Sequence, residues 1–243
     1  MEVLIMRLEA PLMSFGGAIV DNYGIIRDYP SLSMITGLLA NAFGYSHGET
    51  EKLQRLQERI RFAVRCDREG EKLQDYQTVD LGQDHLVNTG WTTRGKREDR
   101  GTGEATKGTH IRYRDYFADA LYILALSLDP AKEQPTISDI VVALKEPERP
   151  LFIGRKPCLP STSLFVNVVE TESPLSALEK YPKDKRGDDK ERIRAWWHDS
   201  FGERPQSRKT AIYDERDWQN QIHAGRRFIY EGMVTIPEVS NAG

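Results

Sequence analysis

Val3-Leu4-Ile5-Met6-Arg7-Leu8, then the turn Ser14-Phe15-Gly16-Gly17, then Ser31-Leu32-Ser33 ahead of Ile35, Leu38, Leu39, Ala42 and Phe43: the fold is decided in this stretch. The first segment is an apolar run of strand length, broken at Pro11. The last five residues hold the i, i+3, i+4, i+7, i+8 spacing of a helix with one buried face, and Gly44 suits its end. The polar loop between them carries Arg27. Ser31 and Ser33 stand where the unpaired N–H groups of a helix point outward, so its dipole and free donors can hold an anion such as a phosphate. A serine at that place also serves as a plain N-cap. The residues leave both readings open.

Working outward, Glu49 to Arg61 predicts an amphipathic helix through Leu53, Leu56 and Ile60. Phe62 to Asp67 alternates, with Phe62, Val64 and Cys66 on one side, as a half-buried strand does. Ala118 to Leu128 is nearly continuous in apolar residues, the mark of a central strand. Thr136 opens a helix through Ile137, Ile140, Val141 and Leu144, with Asp139 in its first turn. Leu164 to Val169 closes the set. Strand, helix, strand, strand, helix, strand is the order of a ferredoxin-like split βαβ unit, so the chain reads as α+β.

Two segments lie outside that pattern. A polar insertion from about 76 to 116, with Gly82, Gly90, Gly95, Gly101, Gly103 and Gly108, is too long for a structureless loop and reads as a protruding hairpin. The domain reading is therefore a core over 1–170 carrying this insertion, followed by an extension over 171–243 that packs on it. In the extension, Lys183 to Arg194 reads as a mobile, solvated connection. Ala195-Trp196-Trp197 follows, then strands at Lys209 to Tyr213 and Arg226 to Ile236.

The 243 residues carry 39% hydrophobic and 29% charged residues and a formal net charge of −3. No run approaches the roughly 18 apolar residues that cross a bilayer. No secretion signal is visible. Cys66 and Cys158, far apart in sequence, suit a reducing cytoplasm. An acidic chain does not coat nucleic acid indiscriminately, so any such role rests on local patches.

One patch stands out. Between Arg94 and Arg114, the cations Arg94, Lys96, Arg97, Arg100, Lys107, Arg112 and Arg114 face only Glu98, Asp99 and Glu104, seven against three, a surplus of four. Trp91, His110, Tyr113 and Tyr116 are interleaved. Cations beside flat rings suit a single strand whose phosphates are neutralised and whose bases stack. The plainer alternative is a solvated hairpin whose rings pack on their own domain. A second cluster, Gly154-Arg155-Lys156-Pro157-Cys158, pairs a glycine that admits close approach with two cations. The spacing is not that of a Walker loop. The five histidines show no metal-ligand spacing, and no G-x-S-x-G elbow exists, so no metal or other cofactor is expected.

Leu8 to Gly16, Tyr29-Pro30-Ser31-Leu32-Ser33 with Gly37-Leu38-Leu39, Phe62 to Asp67, Asp75 to Val79, Tyr113 to Tyr116 and Gly154 to Cys158 form six collinear motifs. Together they resemble the CasD family, the handle-binding RAMP subunits of type I-E CRISPR Cascade complexes. The likeness runs from Met1 to about Val169, with a fainter echo at Arg226-Arg227-Phe228 and Gly232-Met233. It implies a RAMP/RRM-like core, an insertion that acts as a thumb, and a non-catalytic subunit in antiviral defence. Such a subunit holds the 5′ handle of the CRISPR RNA and caps the backbone filament. Its partners would be the RNA, the backbone subunit, the large subunit and target DNA near the protospacer-adjacent motif.

Carried onto this chain, the resemblance places Arg27, Ser31 and Ser33 on handle phosphates and Arg112, Tyr113 and Arg114 at the thumb base. Gly154, Arg155 and Lys156 make a second wall, with Arg94, Lys96, Lys107 and His110 further along the insertion. Leu32 stands where relatives keep a basic residue. Type I-C relatives cleave the repeat RNA without metal through tyrosine, lysine and histidine. Tyr45, Lys107 and His110 are the residues such an endoribonuclease would recruit, with His110 as acid or base.

Overall fold

A computed structural model describes residues 1–17, 23–80, 90–91, 97–98, 108–223 and 225–237. In chain order these form β1 (Glu2–Glu9), β2 (Leu12–Met13), β3 (Tyr23–Gly24), α1 (Leu32–Ala42), α2 (Thr50–Arg59), β4 (Ile60–Arg68) and β5 (Glu71–Asp80). Next come β6 (Gly90–Trp91), β7 (Arg97–Glu98), β8 (Thr109–Ala118), β9 (Leu121–Leu128), α3 (Ile137–Lys145), β10 (Phe165–Glu170) and α4 (Pro174–Lys180). The chain ends on β11 (Arg192–His198), β12 (Arg208–Ile212), β13 (Arg216–Asp217), β14 (Ile222–His223) and β15 (Arg227–Thr235).

The main sheet runs β10-β1-β9-β4-β11-β15-β12, with antiparallel pairing at every step. Its first four strands lie in the order fourth, first, third, second of the motif read from the sequence. The architecture is α+β, as that reading expects. Every residue of β9 is buried, and β1 is nearly so, because both sheet faces are covered. Leu4, Met6, Leu8, Val64, Leu124 and Leu126 pack beneath α1, α2 and α3. Val3, Ile5, Ala63, Ile123 and Ala125 pack on the other face with Leu175 and Leu178 of α4 and with Trp197.

Local chemistry fixes the helix starts. Ser31 caps α1 through Met34 N–H, and Thr136 with Asp139 forms a reciprocal capping box at α3. At α4, Ser173 caps and Pro174 fills the first turn, where its missing N–H costs nothing.

Two expectations are corrected. The central strand expected from Ala118 begins three residues later. Ala118 ends β8, Asp119 turns at φ +56°, and β9 begins at Leu121. Nor is Lys183 to Arg194 a solvated connection throughout. Asp184 is buried, pairs with Arg7, and its N–H donates to Asp67 Oδ2 at 3.0 Å. Asp188 N–H donates to the Asp67 carbonyl at 2.7 Å, and Arg192 already belongs to β11.

A second sheet is built on β8, which pairs with β2 and β3 along one edge and β5 along the other. The β5–β8 ribbon is continuous from Glu71 opposite Ala118 to Asp80 opposite Thr109, so pairing begins five residues before the insertion read from composition. β6 and β7 pair with each other. The expected contacts Arg94, Lys96 and Lys107, like Arg100, lie outside the described residues.

Candidate nucleic-acid interface

Successive residues of a strand point to opposite faces, and directly paired residues share a face. On β8 this sorts the segment from His110 to Tyr116 in two. His110, Arg112, Arg114 and Tyr116 lie on one face, opposite Val79, Gln77, Asp75 and Leu73 of β5. Ile111, Tyr113 and Asp115 lie on the other, opposite Thr78, Tyr76 and Gln74. The Tyr113 ring and the guanidinium groups of Arg112 and Arg114 therefore lie on opposite sides of the ribbon.

Arg155 arrives on the cationic face from the loop before β10. It donates to the Asp115 carbonyl and the Gly24 carbonyl, both at 2.9 Å, and its guanidinium lies 4.8 Å from the Tyr116 ring centre. Gly24 is opposite Arg114 in register. A Cβ on Gly24 would stand 2.8 Å from Arg155 Nη2 and 2.9 Å from Arg114 Nη1. Two guanidinium groups therefore converge over one residue that lacks a side chain. Among the described residues, the Arg114 side chain makes no hydrogen bond or ion pair, and the Asp75 carboxylate across from it accepts from Gln77 Nε2 instead. The open fork of Arg114 beside the anchored guanidinium of Arg155 suits the geometry of a phosphate.

The other candidates fall elsewhere. Lys156 follows Arg155 but turns away, lining with Ser33 and Gly154 a groove of about 660 Å³ beside α1. Tyr45, Phe152, Trp218 and Leu159 supply its apolar wall, and Arg149 and Arg216 further charge. Gly154, read as admitting a ligand, instead admits the chain itself. Its φ is +94°, and a Cβ there would sit 1.7 Å from the Ser14 carbonyl oxygen. Arg27 donates to the Tyr213 carbonyl at 3.2 Å.

At the α1 terminus the N-cap reading is the one observed. The helix donors there do not stand free. Leu32 N–H donates to Asp214 Oδ2 at 2.8 Å, Ser33 N–H to the Asp214 carbonyl at 3.1 Å, and Met34 N–H to Ser31 Oγ at 3.1 Å. Asp214 in turn accepts from Nε and Nη2 of Arg227, each at 2.7 Å. The helix does hold an anion, and it is the chain's own carboxylate.

Of the residues of the metal-free nuclease reading, the two described, Tyr45 and His110, lie on different elements, one just after α1 and one on β8. Tyr45 stacks on Phe43 with its centroid 5.4 Å away, lies under Lys52, and has its hydroxyl pKa raised by burial. His110 is out on the ribbon opposite Val79, and Lys107 is outside the described residues. Among the described residues no cluster of histidine, cysteine and carboxylate could hold a metal, and no helix is long and apolar enough to cross a membrane. Cys66 and Cys158 are free and buried, and burial pushes the Cys66 thiol up to about 12.

Sequence reading missed Gly24, Tyr23 and Tyr76. Tyr23 and Tyr76 flank Tyr113 across the strands, with ring centroids 5.0 and 5.5 Å from it. The period-2 alternation from His110 to Tyr116 was the available signal for the two faces.

The comparison with known proteins agrees with this architecture. Residues 3–230 match the profile of the family described as CRISPR-associated protein (Cas_Cas5). The CRISPR system Cascade subunit CasD of Escherichia coli (strain K12) is 30% identical over 178 residues, 73% of this chain and 76% of that protein. A chain of a solved CRISPR RNA-guided surveillance complex superposes with a TM-score of 0.69 at 23% identity, covering 97% of this chain and 91% of that one. A solved Cas protein gives 0.65 at 24% identity, covering 97% and 98%. The chain belongs to the Cas5 family of CRISPR-associated proteins.

Proposed function

We propose that this chain is a non-catalytic RNA-binding subunit of a Cascade-type surveillance complex in the cytoplasm, where it holds the 5′ handle of the CRISPR RNA and caps the backbone filament. Backbone and large subunits would flank it, with target DNA passing nearby. In this reading the first four sheet strands are a ferredoxin-like core, and the β5–β8 ribbon is the root of a thumb. The observation that carries it is the convergence of Arg114 and Arg155 over Gly24. Two cations with donors to spare, neither paired with a carboxylate among the described residues, form a pocket for one phosphate of a bound strand. Arg112 and His110 extend the same face along β8, and Arg94, Lys96 and Lys107 are further RNA contacts in this reading. Ser33 and Lys156 offer a second, separate contact at the groove beside α1.

The test is nuclease footprinting of the RNA 5′ end in complex assembled with either the wild-type chain or Arg114→Ala/Arg155→Ala. Wild type should protect the handle, and the double variant should leave it cleavable while the rest of the guide stays covered. Equal protection in both would overturn the proposal.

A further inference from the structure

The ribbon's other face carries three tyrosines side by side on three adjacent strands. Tyr23 on β3 and Tyr113 on β8 are stacked, 5.0 Å apart and 10° from parallel, and Tyr76 on β5 lies 5.5 Å away at 56°. Tyr23 is 53% exposed and Tyr76 56%. Among the described residues none of the three hydroxyls is hydrogen-bonded. Cross-strand aromatic pairs do steady a ribbon, but that purpose needs only one pair and does not need both outer rings open to water. The occupant is indicated by continuity with the reverse face. Tyr113 directly precedes Arg114, one strand rise of about 3.3 Å along. A single strand whose phosphate sits between Arg114 and Arg155 brings its unpaired bases to the edge of this ribbon. Every base has a π face that an exposed ring can take.

We infer that Tyr23, Tyr76 and Tyr113 form a stacking platform for unpaired nucleobases, so that the ribbon engages one nucleic-acid strand on both faces. This rests on the phosphate-pocket reading above, and the test separates the two. The full-length chain is titrated with single-stranded oligoribonucleotides carrying 2-aminopurine at one position, moved along the strand, and with the same series in DNA. Wild type should quench the fluorescence at a subset of positions. Tyr23→Leu/Tyr76→Leu should lose the quench and bind at least about fivefold more weakly with an unchanged salt slope. Tyr23→Phe/Tyr76→Phe should keep both.

Quenching in RNA and DNA alike would support stacking with no reading of the 2′-hydroxyl, and quenching in RNA alone would support it and assign the strand. An unquenched wild type overturns the platform, as does a leucine variant that quenches normally but no longer co-purifies with neighbouring subunits. If Arg114→Ala/Arg155→Ala loses affinity while the leucine variant binds and quenches as wild type, the phosphate pocket stands and the platform falls. If only the leucine variant is impaired, the platform stands and the pocket falls.

Discussion

A hydrogen atom at Gly24 is what lets two guanidinium groups share one spot. The residues around Gly154 make the contrast clear, because there the missing side chain serves the backbone. An added Cβ at Gly24 meets flexible arginine side chains, whereas one at Gly154 meets the Ser14 carbonyl. Gly24→Ala should therefore leave the unfolding temperature nearly unchanged while weakening RNA binding. Gly154→Ala should destabilise the fold, with about 1–3 kcal/mol from backbone strain alone. Thermal unfolding beside an RNA titration checks both, and equal destabilisation by the two would contradict the assignment. At this scale the sequence was only partly legible. The charges of Arg114 and Arg155 are visible in it, and so is the alternation that puts Tyr113 on the other face. That a glycine 131 residues away from Arg155 accepts its donor is not, because nothing local encodes a long-range approach.

Among the elements, those with strong periodicity were legible: β1, α1, β4, β9, α3 and β10 were all anticipated close to their observed bounds. Those set by tertiary contacts were not. The α1 terminus looks ready for a ligand until Asp214, 182 residues on, is seen to occupy it. The charged stretch after Tyr181 looks solvated until its anchor appears. Arg65 and Asp67 on β4 are wholly buried, joined at 2.7 Å, and Arg65 also donates to the carbonyls of Leu178, Tyr181 and Pro182. Asp67 in turn takes the Asp184 N–H. Removing one member of a buried pair strands the other, at a cost of about 3–5 kcal/mol. Asp67→Ala should accordingly lower stability by that order in denaturant unfolding. It should also raise hydrogen exchange at Asp184 and Asp188, and unchanged exchange there would show that the segment is held some other way.

Across the whole molecule, β11, β12 and β15 complete one seven-stranded sheet with β1, β4, β9 and β10, and its stability carries an acid dependence. His198, at the end of β11, is held near pKa 4 against an ordinary 6.5 by burial first, then by Arg227 and Arg61, with Asp199 and Asp214 opposing. The folded chain keeps this ring neutral, while the unfolded chain protonates it near 6.5. Its contribution to stability is therefore whole above pH 6.5 and is lost as pH falls from there toward 4. His198→Gln should flatten that part of the stability profile, and an unchanged slope between wild type and variant would refute the assignment.

The phosphate pocket at the ribbon root is tested most directly by the salt dependence of RNA binding. In filter-binding titrations over a range of salt, each phosphate contact adds about 0.7 to the slope of log affinity against log salt for a single strand. Arg114→Ala/Arg155→Ala should bind more weakly and lose at least one such increment, whereas Arg27→Ala should change the slope less. A double variant whose slope matches wild type would contradict the account.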